Sequence, residues 1–262
     1  MPDRIACFPL RGATSGEISI ALAESYAEYA AWQAQAGTIA SFVEVARAAG
    51  VESVVAERSR SALSWFRAAG ILVGDPTASA VEAMVSLSVK EQLYTAEHGV
   101  NVAAIVMLHN STERFVWRLT RFGLVANREK ATEWIGNKKV NIRDLVSTSV
   151  DEAVDAKLED WWKELERDSL IEKWDCLVGL VGFPAKLIDP PNWHFDRNMI
   201  VQFDETRINA VHYDASYLKT FGLNQFSAQL SRASLIWLVH FAQRLGVKVD
   251  ANRLWGLKQK TA

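Results

Sequence analysis

The chain has 262 residues, 49% of them hydrophobic and 23% charged, with a formal net charge of −2. That length buries a core without covalent staples, and that charge excludes a surface built wholly to grip nucleic acid. Abundant Ala, Leu, Glu and Arg beside only 14 Gly and 6 Pro favour an all-α fold.

The opening "MPDRIACFPLRGATSG" holds no apolar run of signal length, and no segment offers a membrane-length apolar run, so a cytoplasmic protein is expected. Cys7 and Cys176 lack C-x-x-C spacing and read as free thiols, giving no disulfide framework and no zinc site. "GEISIALAESYAEYAAWQAQAGTIASFVEVARAAG" reads as two helices, broken at Gly37 and Gly50, and "VESVVAERSRSALSWFRAAG" as a third ending at Gly70. "GDPTAS" is the best linker, so residues 1–75 form an N-terminal helical region, 76–250 the main helical domain and 251–262 a tail.

Thr77 is a plausible cap for helix running to about Phe122, with an interruption expected near Gly99. Within it Ile105, Leu108, Thr112, Phe115, Leu119 and Phe122 recur at three and four, while Arg114, Arg118 and Arg121 form a basic row. That row is either a solvated face or a phosphate-contacting, substrate-binding surface. His109 and Glu113, four apart, read as a simple helical contact, and His98 before Gly99 as serving a helix end.

"REKATEWIGNKK" and "NIRDLVS", the latter capped by Asn141, are short helical pieces. Residues 151–175 carry ten acids against four bases with Trp161, Trp162 and Trp174, which reads as an amphipathic helix pair with an acidic outer face. "GFPAKLIDPPNWHF" reads as a loop, because Pro190 and Pro191 cannot continue a helix. Helix resumes at about Asp196, and an apolar helix, "FSAQLSRASLIWLVHFAQRL", closes the fold with His240 in its core.

"FDETRINAVHYD" places Arg207 and His212 five apart, on either side of an apolar strip of Val201, Ile208 and Val211. A helix burying that strip leaves a permanent cation and a proton-exchanging imidazole at the margins of a packed seam, where clefts form. The upstream "RNMIVQ" has Arg197 and Asn198 but ends in Gln202, which cannot exchange a proton near neutral pH. The phosphate-loop, dinucleotide and nucleophile-elbow motifs are absent from the sequence.

"RINAVH", followed by Tyr213 and Asp214, resembles the R-x4-6-H signature of HEPN domains, all-α modules many of which are ribonucleases. "VNVAAIVMLHNSTERFVWRLTRFGL" resembles the early long helix of such domains, and the likeness covers about residues 78–248. HEPN domains usually place a polar residue, often Asn, after the Arg; here Ile208 follows and Asn209 comes one later. The resemblance implies a metal-independent endoribonuclease with no cofactor and no metal, cutting RNA through its own 2′-hydroxyl. Under it His212 is the general acid or base, Arg207 stabilises the phosphorane-like transition state, and Asn209 orients a catalytic group or the phosphate. It implies a homodimer with the 196–213 helix at or near the two-fold axis, RNA as substrate, and a possible neutralising protein partner. The same fold also serves as a catalytically silent module that binds a protein or nucleic acid. A basic pocket bearing both Arg207 and His212 favours the enzyme; an exposed apolar patch with those two side chains paired internally favours the module.

Overall fold

Three S/T-x-x-E sequences, at Thr14, Ser149 and Ser169, each open a helix in the structure, a computed structural model. In each, the Glu carboxylate accepts the backbone N–H of the capping residue at 2.8 Å. The Glu N–H donates back to the capping hydroxyl at 3.2 to 3.3 Å, which satisfies two orphan donors at once. The same backbone contacts hold the Glu17, Glu152 and Glu172 carboxyls below the usual glutamate range.

The structure describes residues 8–70, 77–135, 149–181, 186–189, 193–212 and 223–249. Their order is α1 (Ser15–Ala48), α2 (Val51–Ala68), α3 (Ala78–Ala126), α4 (Arg128–Ile135), α5 (Val150–Leu165) and α6 (Leu170–Val181). A short antiparallel hairpin, β1 (Lys186–Asp189) and β2 (Trp193–Asp196), follows, then α7 (Arg197–Val211) and α8 (Leu223–Arg244). The fold is an all-helical bundle, to which the hairpin adds one small ornament. It stands where the sequence suggests a loop, with Leu187 opposite Phe195 and Ile188 opposite His194. The expected "NIRDLVS" helix and the C-terminal tail lie outside the described residues.

Two of the expected glycine breaks, at Gly37 and Gly99, are absent. α1 is one 34-residue helix through Gly37, and α3 runs 49 residues, about 70 Å, through Gly99. An interior Gly weakens a helix by only about 1 kcal/mol, a cost that helices of this length absorb. The expected stops at Gly50 and Gly70 are kept, and their φ values of 79° and 70° lie in the left-handed region that side chains avoid. His98 therefore sits within α3 and not at a helix end. At its start Ala80 N–H donates to the Thr77 hydroxyl at 3.3 Å, the expected cap.

α3 touches every other described helix. Its second half buries one face from Ala104 onward and every residue from Phe115 to Leu124, whereas its first half buries only Val85. α1 shares that core: Tyr29 stacks on Phe115 with ring centroids 4.5 Å apart, and Leu22 and Tyr26 are buried beside it. The acidic pair α5 and α6 packs through its tryptophans. Trp162 stacks on Trp117 at 4.0 Å, and each indole N–H donates to the other's backbone carbonyl at 3.0 Å. Trp174 is buried against Trp237 of α8, so only the acidic side of this pair faces outward. No described helix is long and apolar enough to cross a membrane.

Candidate functional site

α7 begins at Arg197 under an Asp196 cap, whose carboxylate accepts the Met199 N–H at 3.3 Å. It buries Ile200, Phe203, Thr206 and Ala210 against α3 and α6. This register corrects the expected one: Ile208 is 41% and Val211 45% exposed, so the strip containing them faces away from the core. The reason is a competing face. Phe203 fills the space between His109 and Phe226, with ring centroids at 5.3 and 4.7 Å, and Asp204 must reach His109. Ile208 and Val211 cannot turn inward without withdrawing both.

Arg207 is half-buried on the edge of α7 nearest His109, and His212 is exposed at the helix C-terminus, its backbone N–H donating to Ile208 at 3.1 Å. On an ideal helix the two side chains leave about 70° to either side of the centre of the Ile208–Val211 strip. Asn209 is half-buried on the His212 side. The upstream Arg197 is held in a bidentate pair by Asp175, at 2.7 and 2.8 Å.

Beneath Arg207 lies a polar network that the sequence shows only in part. His109, 1% exposed, places Nε2 2.7 Å from Asp204 Oδ1 of α7. A carboxylate only accepts, so Nε2 carries the proton and Nδ1 is left as a buried acceptor without a hydrogen-bond partner among the described residues. Glu113 Oε2 stands 3.9 Å from that nitrogen, and its Oε1 accepts from the buried Lys173 Nζ of α6 at 2.5 Å. Lys173 donates also to the Asp168 carbonyl at 2.6 Å. Burial pushes the His109 imidazole below its ordinary value, and Arg207 adds to that against the pull of Asp204 and Glu113. The imidazole is therefore neutral at neutral pH, and its two neighbouring carboxylates are already engaged, Asp204 by His109 itself and Glu113 by Lys173. The i, i+4 spacing of His109 and Glu113 signalled contact; Asp204 and Lys173 could be found only in three dimensions.

The basic row does not face solvent as one surface. Arg118 is 3% exposed and donates to Glu28 of α1 at 2.6 Å. Arg121, also 3% exposed, donates from Nε to the Phe8 carbonyl at 2.8 Å, pairs with Glu159 at 2.8 Å and lies 4.4 Å over the Trp162 ring. These two tie α3 to α1 and α5. Arg114 alone is largely exposed, with Nε 3.7 Å from Glu28.

Searches for relatives add nothing to this geometry: no family model, curated protein or solved structure matches the chain. The site is argued from its own residues. A cleft of about 620 Å³ lies elsewhere, between α1 and α3, and α7 contributes nothing to its lining. Arg207 and His212 instead flank an exposed apolar strip, on a surface one copy leaves open.

Proposed function

We propose that the protein is a metal-independent endoribonuclease of the HEPN kind, whose site is completed when two copies pack α7 against α7. The observation that supports this reading most is the exposure of Ile208 and Val211 between Arg207 and His212. An apolar strip of that kind is buried cheaply by its own symmetric copy, because a two-fold contact presents the same patch from both sides. The seam then holds two arginines and two imidazoles along its margins. One imidazole takes the proton of the 2′-hydroxyl as its oxygen attacks phosphorus, and the other gives a proton to the departing 5′-oxygen. The products are a 2′,3′-cyclic phosphate and a free 5′-hydroxyl. Arg207 offers a planar fork to the charge that builds on the phosphoryl oxygens, and Asn209 can donate to the same group.

Incubation of a mixed pool of end-labelled single-stranded and transfer RNAs with the protein, in chelator, tests this directly. The wild type should cleave, and His212→Ala and Arg207→Ala should each lose about 100-fold or more while keeping their circular dichroism. Undiminished cleavage by folded His212→Ala would remove the imidazole from the chemistry, and no cleavage by any folded protein would remove the activity. A silent interaction module is the second reading. It is favoured by Trp32, Phe42, Val45, Trp65 and Leu87, large apolar side chains left exposed on α1, α2 and the first half of α3.

A further inference from the structure

A second site lies apart from α7, in the cleft between α1 and α3. Its volume is about 620 Å³, in the range of small-molecule sites. Tyr29, Trp32, Val102, Val106, Met107 and Phe115 give it an apolar body. Its charged lining residues, Glu28, Arg114 and Arg118, fall together: Arg118 Nη1 is 2.6 Å and Arg114 Nε 3.7 Å from the Glu28 carboxylate. That end of the lining carries two guanidinium groups to one carboxylate.

Gly99 gives the cleft its independent signature. It lies inside α3, where a glycine weakens the helix, yet its backbone is helical and a Cβ built on it meets nothing within 4 Å. Neither a left-handed turn nor a close neighbour calls for glycine there. What its missing side chain leaves is room in the cleft it lines.

We propose that this cleft binds an amphipathic organic anion, with an apolar body along Trp32, Val102 and Val106 and a carboxylate at the Arg114–Glu28–Arg118 end. The apolar wall supplies the driving force, and the arginine pair sets which end enters and rejects cations. Arg118, buried and tied to Glu28, is a fixed charge; Arg114, exposed at the mouth, meets the head group.

Isothermal titration of the full chain with dodecanoate and with dodecyltrimethylammonium, both below their micelle concentrations, tests this. Dodecanoate should bind at least about tenfold tighter than the cation. Gly99→Phe and Ala103→Phe, both on cleft-lining positions, fill the space, and each should weaken dodecanoate at least about tenfold with circular dichroism unchanged. Gly99→Phe removes a helix-weakening residue at an open position, so it folds. Arg114→Gln should weaken dodecanoate and leave the cation unaffected. Absence of dodecanoate binding, equal binding of the cation, or undiminished binding by both filled variants would overturn the proposal; occupation of the cleft by another part of the chain reads out as the first of these.

Discussion

His109 is a base whose burial favours its neutral form, and that fixes the sign of its pH dependence. The folded-state value lies below the ordinary 6.5, so the unfolded chain binds more protons between the two values. Stability should be complete above about 6.5, fall as pH drops towards the depressed folded value, and level off below it, with a slope of at most about 1.4 kcal/mol per pH unit. Urea unfolding from pH 8 to pH 4.5 of the wild type and His109→Gln checks this: the variant, which keeps a donor for Asp204, should lose that part of the slope. An unchanged slope would assign the dependence to other groups. The sequence showed His109 and Glu113 one turn apart, but pairing across 95 positions, as between His109 and Asp204, leaves no local pattern to read. Arg118 and Arg121 were visible as a row for the same reason that they were misplaced. Periodicity shows which residues share a face, and Glu28, Glu159 and the Phe8 carbonyl decide that this face is internal.

At the scale of elements, helices were legible because apolar spacing and caps are local properties; Thr77 and the Asp196 region mark starts that the structure keeps. What failed was the choice between two faces of α7, since Val201, Ile208 and Val211 are as apolar as the Ile200 and Phe203 that pack. Two contacts between elements should prove costly to cut. Lys173→Met leaves the half-buried Glu113 beside His109 without its cation, and should destabilise by about 1–3 kcal/mol in denaturant unfolding. Trp162→Ala removes the stack on Trp117 and the hydrogen bond that its indole N–H donates to the Trp117 carbonyl, for a loss of about 3–5 kcal/mol. A loss under about 1 kcal/mol in either variant would contradict the assigned packing.

Across the whole molecule, stability is concentrated where α3 runs from Ala104 to Leu124 through the other helices. α2 buries only Ser59, and it is fastened to α3 by the exposed Arg60–Glu82 pair at 3.0 Å and the Ser59–Ser88 contact at 3.2 Å. Amide exchange should therefore be fastest in α2 and the first half of α3 and slowest in the buried half, a division by burial and not by chain order. The functional reading depends on another element, α7, where the Ile208–Val211 strip faces outward. Sedimentation velocity of the wild type and of Ile208→Glu, across micromolar concentrations, tests whether that strip is where two copies meet. The account predicts a dimer for the wild type and a folded monomer for the variant; a monomeric wild type, or a variant that still dimerises, would contradict it.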